Sequence, residues 1–311
     1  MNTIMWALMR NSRIKNSFKV FCTIFLECST QILIKKVINM FSYSELQNYA
    51  VGIPIIIIVV AVFVIGQVLF RRLFYIEKIE SCHEVGGVIF QLLGTLYAVI
   101  LGLIVLDAMA KFEATEMIIL NESQSLLVVF ELAEQFKIGG KGKVVQQLTE
   151  DYIDEVITND WGFMKDGILN HRAHDILKNL LDEIKKIVPI TENEKQLFPT
   201  LLQETISIRK YRYVRFSQAE NGVPSPEWVM LLIGGVVTIV FTFFFRIENQ
   251  KIQSLMIGMF ALIIIMNLYM VLLFSEPYAG DFVASKKPLI TVQRLIKGVF
   301  DEHHNAVIKI N

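Results

Sequence analysis

Glu113 and Glu116, and again Glu131 and Glu134, stand three residues apart, a spacing that puts each pair on one face of a helix. Repeated by symmetry about an axis, such carboxylates form rings that concentrate cations. The alternative is a solvated surface, since residues 107–227 hold 20 Asp and Glu against 14 Lys and Arg, a mild excess. Upstream, Gln91 and Thr95 are a polar pair one helical turn apart inside an apolar run, and Leu103, Leu106 and Asp107 follow them. Metal-ligand types are scattered by comparison. His171, His174 and Asp175 could share a helix face, but a solvated helix surface is the simpler account of them. Cys82, His83 and Glu84 are adjacent and do not converge on one ion, and His303-His304 after Asp301-Glu302 form a tail cluster. No Gly-rich phosphate loop, nucleophile elbow or pair of metal-ligand dyads occurs. The sequence therefore predicts no catalytic residue, no metal site and no cofactor.

The elements that must position Gln91 to Glu116 follow from composition. The chain is 53% hydrophobic with zero formal net charge, so no bulk field argues for a nucleic-acid partner. Four blocks, 51–70, 86–106, 228–245 and 252–274, carry no charge at all. Each is long enough to cross a hydrocarbon core of ~30 Å at ~1.5 Å per residue. The expected fold is all-α: a polytopic membrane protein with four transmembrane helices and a helical cytosolic bundle between spans two and three. The expected units are an amphipathic N-terminal segment (1–49), spans one and two (50–106), the cytosolic helical domain (107–227), spans three and four (228–275) and a C-terminal tail with an amphipathic helix (276–311). In that tail Leu289, Val292, Leu295, Ile296 and Val299 repeat at helical spacing. Cys22, Cys28 and Cys82 are odd in number and give no disulfide framework.

The second span raises a particular question. Its apolar run passes into Asp107, Lys111, Glu113 and Glu116 with no proline or turn between them. The spacing predicts one helix from the lipid into the body over 86–138, with Met117, Leu120, Leu127 and Phe130 on its packed side and Gly139-Gly140 as the stop. Asp107, the first charge past the apolar run, is expected at the inner mouth, turned towards water or a basic partner. Further helices are expected over 142–159 and 172–188. A fourth, opened by a capping box at Thr191–Glu194, should run towards Glu220 with an irregularity before Pro199, and Ser225-Pro226 should cap the third span. Gly94, Ala98 and Gly102 recur every four residues, a small-residue stripe that permits close helix packing. Two readings of this helix stay open: tight packing inside one subunit, or a place around an axis with Gln91 and Thr95 wetted and Leu103 and Leu106 forming a constriction.

An even number of spans puts both termini and the large loop on one side. Lys35, Lys36, Lys111, Arg209, Lys210, Arg212, Arg215, Lys286 and Lys287 lie near the spans on that side, against Arg71, Arg72, Lys78, Arg246 and Lys251 on the other. The positive-inside rule then places the bundle and both termini in the cytoplasm, in a multi-pass protein of the cell's inner (plasma) membrane.

Several blocks in order resemble the bacterial bestrophin-like membrane family. They are "GTLYAVILGLIV" (94–105), the Asn121-Glu122 pair, Tyr152, Val156 and Trp161 in "DYIDEVITNDWGFM", "RYVRFSQAENGVPSPEW" (212–228) and "SEPYAGDF" (275–282), where the family tends to show Pro, an aromatic and Gly after the final span. The resemblance covers about residues 50–285. It implies a homo-oligomeric ion channel, a pentamer, with four spans per subunit and a pore lined by the second span. Lipid bilayer and inorganic ions are the partners it implies. It does not extend to calcium gating or to anion selectivity, because the region after the fourth span offers only Glu276 and Asp281, with Asp301-Glu302 farther on. The expected function is thus a bestrophin-like channel whose path is lined by Gln91, Thr95, Leu103, Leu106, Asp107, Glu113 and Glu116. The alternative is a ring-forming membrane scaffold, stator-like or sensor protein with the same layout and no selective pore of its own.

Overall fold

The computed structural model describes residues 46–73, 83–136, 140–220, 222–245 and 247–308, and of 83–85 and 299–308 the backbone alone. All but the last four residues of the expected amphipathic segment 1–49 lie outside the described residues, as do the three cysteines. The described chain is helical and holds no strand. Four stretches of helix are long and apolar enough to cross a membrane. They contain α1 (Tyr49–Leu73), α2 (His83–Ala133), α7 (Ser225–Phe241, continued by a tight 3-10 turn over Thr242–Phe244) and α8 (Gln250–Ser275). The body comprises α3 (Lys141–Glu155), a π-helical turn (Val156–Asp160), α4 (Trp161–Lys165), α5 (His171–Lys185), α6 (Glu192–Glu220) and α9 (Lys287–Ile308).

α2 organises everything else. Its 51 residues make a rod of about 75 Å at ~1.5 Å per residue, and one face of it is buried from Tyr97 to Ala133. Tyr97, Leu101 and Ala108 join Leu231, Ile239, Ile257, Ala261 and Ile264 in a core between the spans. Ile119, Leu126, Val129, Phe130 and Ala133 join Tyr152, Ile153, Leu180, Leu201 and Ile208 in the body. The intervals of three and four residues along this face are those of a single helix stripe. Met117 departs from expectation: it is 54% exposed, because the stripe that packs runs through Thr115 and Ile119 instead.

Tyr97 sets the rotation of the rod inside the membrane. Its hydroxyl donates to the Leu231 carbonyl of α7 at 3.1 Å, and its ring lies against two glycines. A Cβ on Gly234 would sit 2.6 Å from the ring, and one on Gly235 2.9 Å from the hydroxyl oxygen. Tyr97→Phe should therefore cost little, about 0.6 kcal/mol and at most about 1.7 for an interhelical hydrogen bond in lipid. Gly234→Leu must displace the whole ring and should lower the unfolding temperature far more. Thermal unfolding in detergent compares the two directly. A Gly234→Leu protein as stable as Tyr97→Phe would show that this contact does not hold α2 against α7.

The ends of the body helices correct several expectations. α2 stops at Ala133, short of residue 138, because the chain turns there onto α3. The Gly142 amide donates to the Phe136 carbonyl at 3.0 Å, and a Cβ on Gly142 would overlap the Ala133 carbonyl oxygen. Gly140 takes a φ of 70°, which favours glycine. α3 ends at Glu155 and passes through the π turn to Trp161 where one helix to residue 159 is expected. α5 ends at Lys185, clear of Pro189. The capping box at Thr191 forms: the Glu194 amide donates to Thr191 Oγ1 at 3.2 Å, and the Thr191 amide to Glu194 Oε2 at 3.1 Å. α6 runs through Pro199 without a break; the carbonyl left without a donor belongs to Lys195, an exposed residue where water can replace it. Ser225 does not cap α7. It is the first helical residue, after Pro224, and no side chain caps that end. In α9 Leu289, Val292 and Ile296 are buried while Leu295 is half exposed, so the packed face is narrower than the apolar pattern.

Candidate functional site

The expected path residues lie on the side of α2 that its own subunit leaves open. Gln91, Thr95, Ala98, Gly102, Leu106, Glu113 and Glu116 fall within about a quarter of the helix circumference at 3.6 residues per turn, and all seven are exposed. A Cβ on Gly94 or Gly102 would meet nothing within 4 Å. The small-residue stripe thus packs against nothing inside the subunit. Thr95 turns its hydroxyl back to the Gln91 carbonyl at 2.7 Å, which satisfies its donor within the helix. Leu103, 62% exposed, stands beside this face, displaced round the helix from Leu106, 63% exposed. Asp107 is turned farther round and pairs with Lys111 at 2.8 Å, a basic partner on its own helix one turn on.

Where α2 leaves the membrane, the segment 276–286 straps the spans to the body. Phe282 stacks on Phe112 of α2 with centroids 4.8 Å apart, and Phe274 closes the cluster at 5.6 Å from Phe112. Asp281 Oδ2 accepts the Tyr49 amide at 2.8 Å, so a carboxylate from the far end of the chain caps the first turn of α1, where the helix dipole favours it. Gly280, at a φ of 75°, lies so close to Gln47 that a side chain would collide with it, and Gln47 Nε2 donates to Leu272 O at 2.8 Å. Farther along the strap, Ala284 O accepts the Trp161 indole at 3.0 Å, and Lys286 Nζ donates to Ile157 O at 2.9 Å.

Beneath the strap lies a group of charges that the residue patterns do not single out. Arg215, Glu122 and Asp160 are fully buried and Arg212 nearly so. Arg215 Nη2 donates to Asp160 Oδ2 at 2.7 Å and to Glu122 Oε1 at 3.3 Å, and Tyr152 donates to the same Glu122 oxygen at 2.6 Å. Arg215 Nε lies 3.0 Å from Glu122 Oε2, an ionic contact whose angle is too bent for a hydrogen bond. Arg212 Nη1 reaches Asp160 Oδ2 at 2.9 Å and its Nη2 the Asn170 carbonyl at 3.0 Å. The Arg215 and Lys286 cations sit over the Trp161 ring at 5.2 and 5.1 Å. Burial pushes the Glu122 carboxyl up from the ordinary carboxylate range, even against the pull of Arg215 and the Tyr152 hydroxyl. At Arg215 burial pulls the other way, and Glu122 and Asp160 outweigh it to hold the guanidinium pKa above its usual value. At the edge of the cluster burial also raises the Glu155 carboxyl, yet hydrogen bonds from Asn170 and Asn159 and the Arg172 charge bring it below the ordinary range. Two cations facing two anions in a dry site make a structural lock, with no free base and no nucleophile.

His171, His174 and Asp175 are exposed on α5. Among the described residues no three His, Cys, Asp or Glu side chains gather into a cation site.

A family model of the bestrophin-like domain matches residues 57–289, three quarters of the chain and every element from α1 to the start of α9. The chain belongs to the bestrophin-like family. The fold of this bestrophin-like chain is shared with a bacterial bestrophin homolog from Klebsiella pneumoniae, at a TM-score of 0.57 and 11% identity, over 78% of this chain and 97% of that one. Two further crystal structures, each of a membrane protein carrying one substitution to alanine, are similar to the same degree, at TM-scores of 0.57 and 0.58, both at 11% identity and over 78% of this chain and 97% and 95% of those. No curated protein matches. The family relationship is to ion channels of the membrane. Apart from the block 94–105, which packs between the spans, the blocks that carry the resemblance in the sequence, with Glu122, Tyr152, Trp161, Arg212, Arg215 and Tyr278, meet in the buried lock and its strap. They are the signal by which the lock could be found.

Proposed function

We propose that this bestrophin-like chain assembles into a homo-oligomeric ion channel, a pentamer on the family resemblance, with the open face of α2 around the axis. The observation that carries this reading is the one-sided packing of α2. Tyr97, Leu101, Ala108 and Phe112 are buried against the subunit, while Gln91, Thr95, Gly102, Leu106, Glu113 and Glu116 are left uncovered along the same rod. A cyclic arrangement brings such a face together around one axis, with the small residues Ala98 and Gly102 permitting close approach. Ions then pass the polar pair Gln91 and Thr95, a constriction at Leu106 flanked by Leu103, and a vestibule carrying Glu113 and Glu116.

Purified protein reconstituted into a planar bilayer tests the reading, with native mass measured in mild detergent. A multi-subunit mass and ohmic ion flux are expected. A ring without flux is the outcome for a scaffold or stator-like protein, and a one-chain mass overturns the reading altogether. On the distribution of Lys and Arg we place the spans in the cell's inner (plasma) membrane, with the body and both termini in the cytoplasm. A cysteine replacing Asn249, in the α7–α8 turn, should then react with an impermeant thiol reagent from outside, and one replacing Lys178 of α5 should not. The reverse labelling inverts the topology.

A further inference from the structure

We propose that a groove between α1 and α8, in the half of the membrane away from the helical body, holds one acyl chain of an anionic phospholipid. The groove has a volume of about 390 Å³ and is lined by Val60 and Val64 of α1 and by Ser254, Leu255, Gly258 and Met259 of α8. That volume lies towards the lower end of the range for small-molecule sites, and the lining is apolar except for one hydroxyl. Gly258 keeps its floor open, since a Cβ there would come within 3.3 Å of Val64 Cγ2. The groove belongs to the outer side of the subunit. Ile257, Ala261 and Ile264 of α8 are buried in the core between the spans, whereas Leu255 and Met259 are 64% and 58% exposed.

Charge decides which lipid fits. Lys251 precedes Ser254 and Leu255 by three and four residues, so it stands at the head of the same stripe of α8. It is exposed and has no ion partner among the described residues. Arg71, beside it at this end, is already committed to the Ile247 and Glu248 carbonyls at 3.0 and 3.2 Å and to Gln253 Oε1 at 2.9 Å. Arg72 adds a third described cation against the acid Glu248. Over the two links on this side, 71–85 and 246–251, the sequence holds five Lys and Arg against four Glu, so the preference for an anion rests on the unpaired Lys251 at the head of the groove. A lysine at the end of a span extends its ammonium to headgroup depth, where a phosphate is its natural partner. The one hydroxyl in the lining is held from behind: Gln67, 1% exposed and outside the lining, accepts the Ser254 hydroxyl at 2.9 Å, which leaves the groove wall apolar towards an acyl chain.

The test titrates the full-length protein in detergent with phosphatidylglycerol and, separately, with phosphatidylcholine of the same chains, and reads bound lipid by native mass spectrometry. Wild type should prefer phosphatidylglycerol by about fivefold, the worth of one lysine near an anionic surface. Lys251→Gln should bring the two lipids together. Leu255→Trp, which fills the groove from its uncovered side, should reduce binding of both severalfold at unchanged subunit number and unfolding temperature. Met259→Trp serves the same purpose should the first variant be unstable. Equal retention by wild type and both tryptophan variants overturns the proposal, as does an absence of headgroup preference. A changed subunit number in the tryptophan variants shows a second copy in the groove and overturns it too.

Discussion

Arg215→Met should cost the body about 3–5 kcal/mol, the loss expected when one partner of a buried ion pair is removed. Glu122 and Asp160 would keep their carboxylates in a dry interior with Tyr152 and Arg212 as the remaining partners, and the Trp161 ring would lose one of its two cations. The cost arises from the stranded charge rather than from a large net worth of the pair. Pairing the substitution with Glu122→Leu should therefore recover much of the stability, because Arg212 and Asp160 remain joined at 2.9 Å and the apolar side chains fill similar volume. Arg172→Met is the comparison: its side chain is 78% exposed at the edge of the same cluster, and solvent screening should hold its effect to about 0–1 kcal/mol. Tryptophan fluorescence during thermal unfolding, in a background with Trp6→Phe and Trp228→Phe, follows Trp161 within the body. An Arg215→Met protein that unfolds alongside Arg172→Met would show that the cluster does not hold the body together.

The spans were legible in the sequence because lipid forbids charge, and soluble helices need charged or polar residues on their wetted faces. The continuity of α2 was legible for a similar reason: no proline lies between Gly86 and Glu116, and the glycines there are of a kind that membrane helices tolerate. Its rotation was harder. A purely apolar template selects Met117, yet the packed stripe admits Thr115, which donates to Gln218 Oε1 at 2.7 Å, and Glu122, which accepts from Tyr152 and faces Arg215. The buried lock was illegible to periodicity altogether. Arg212 and Arg215 count in a sequence as charges beside the third span, and only their partners on α2 and the π turn, 93 and 55 residues away from Arg215, make them core residues. The π turn left no mark that residue types reveal, although it is what delivers Asp160 to both arginines. The open face of α2 was half legible: Gln91, Thr95 and the small stripe are visible, but that nothing in the subunit covers them is a property of the fold.

Leu106→Ala should raise ion flux through the reconstituted protein, and more than Leu103→Ala. Both leucines are uncovered, at 63% and 62%, but Leu106 continues the line of Gln91, Thr95 and Gly102 while Leu103 stands displaced round the helix. In a narrow apolar ring the barrier is the dewetting of the constriction, and shrinking the side chain that closes the ring lowers it. Neither leucine packs against its own subunit, so truncation should leave the unfolding temperature nearly unchanged, which separates a gate from a packing residue. The vestibule acids give the companion result. Glu113→Gln with Glu116→Gln removes two carboxylates per subunit from the same face, and cation entry at low salt should fall by about tenfold, the lower end of what a focused field contributes. At 1 M salt the Debye length is ~3 Å, so the same pair of substitutions should then have little effect. A deficit that persists at high salt would mean the variants alter the path's shape rather than its field. Flux unchanged by Leu106→Ala, alone or with Leu103→Ala, in an oligomer of normal mass would mean that another surface lines the axis, and that the open face of α2 is covered by a neighbouring subunit.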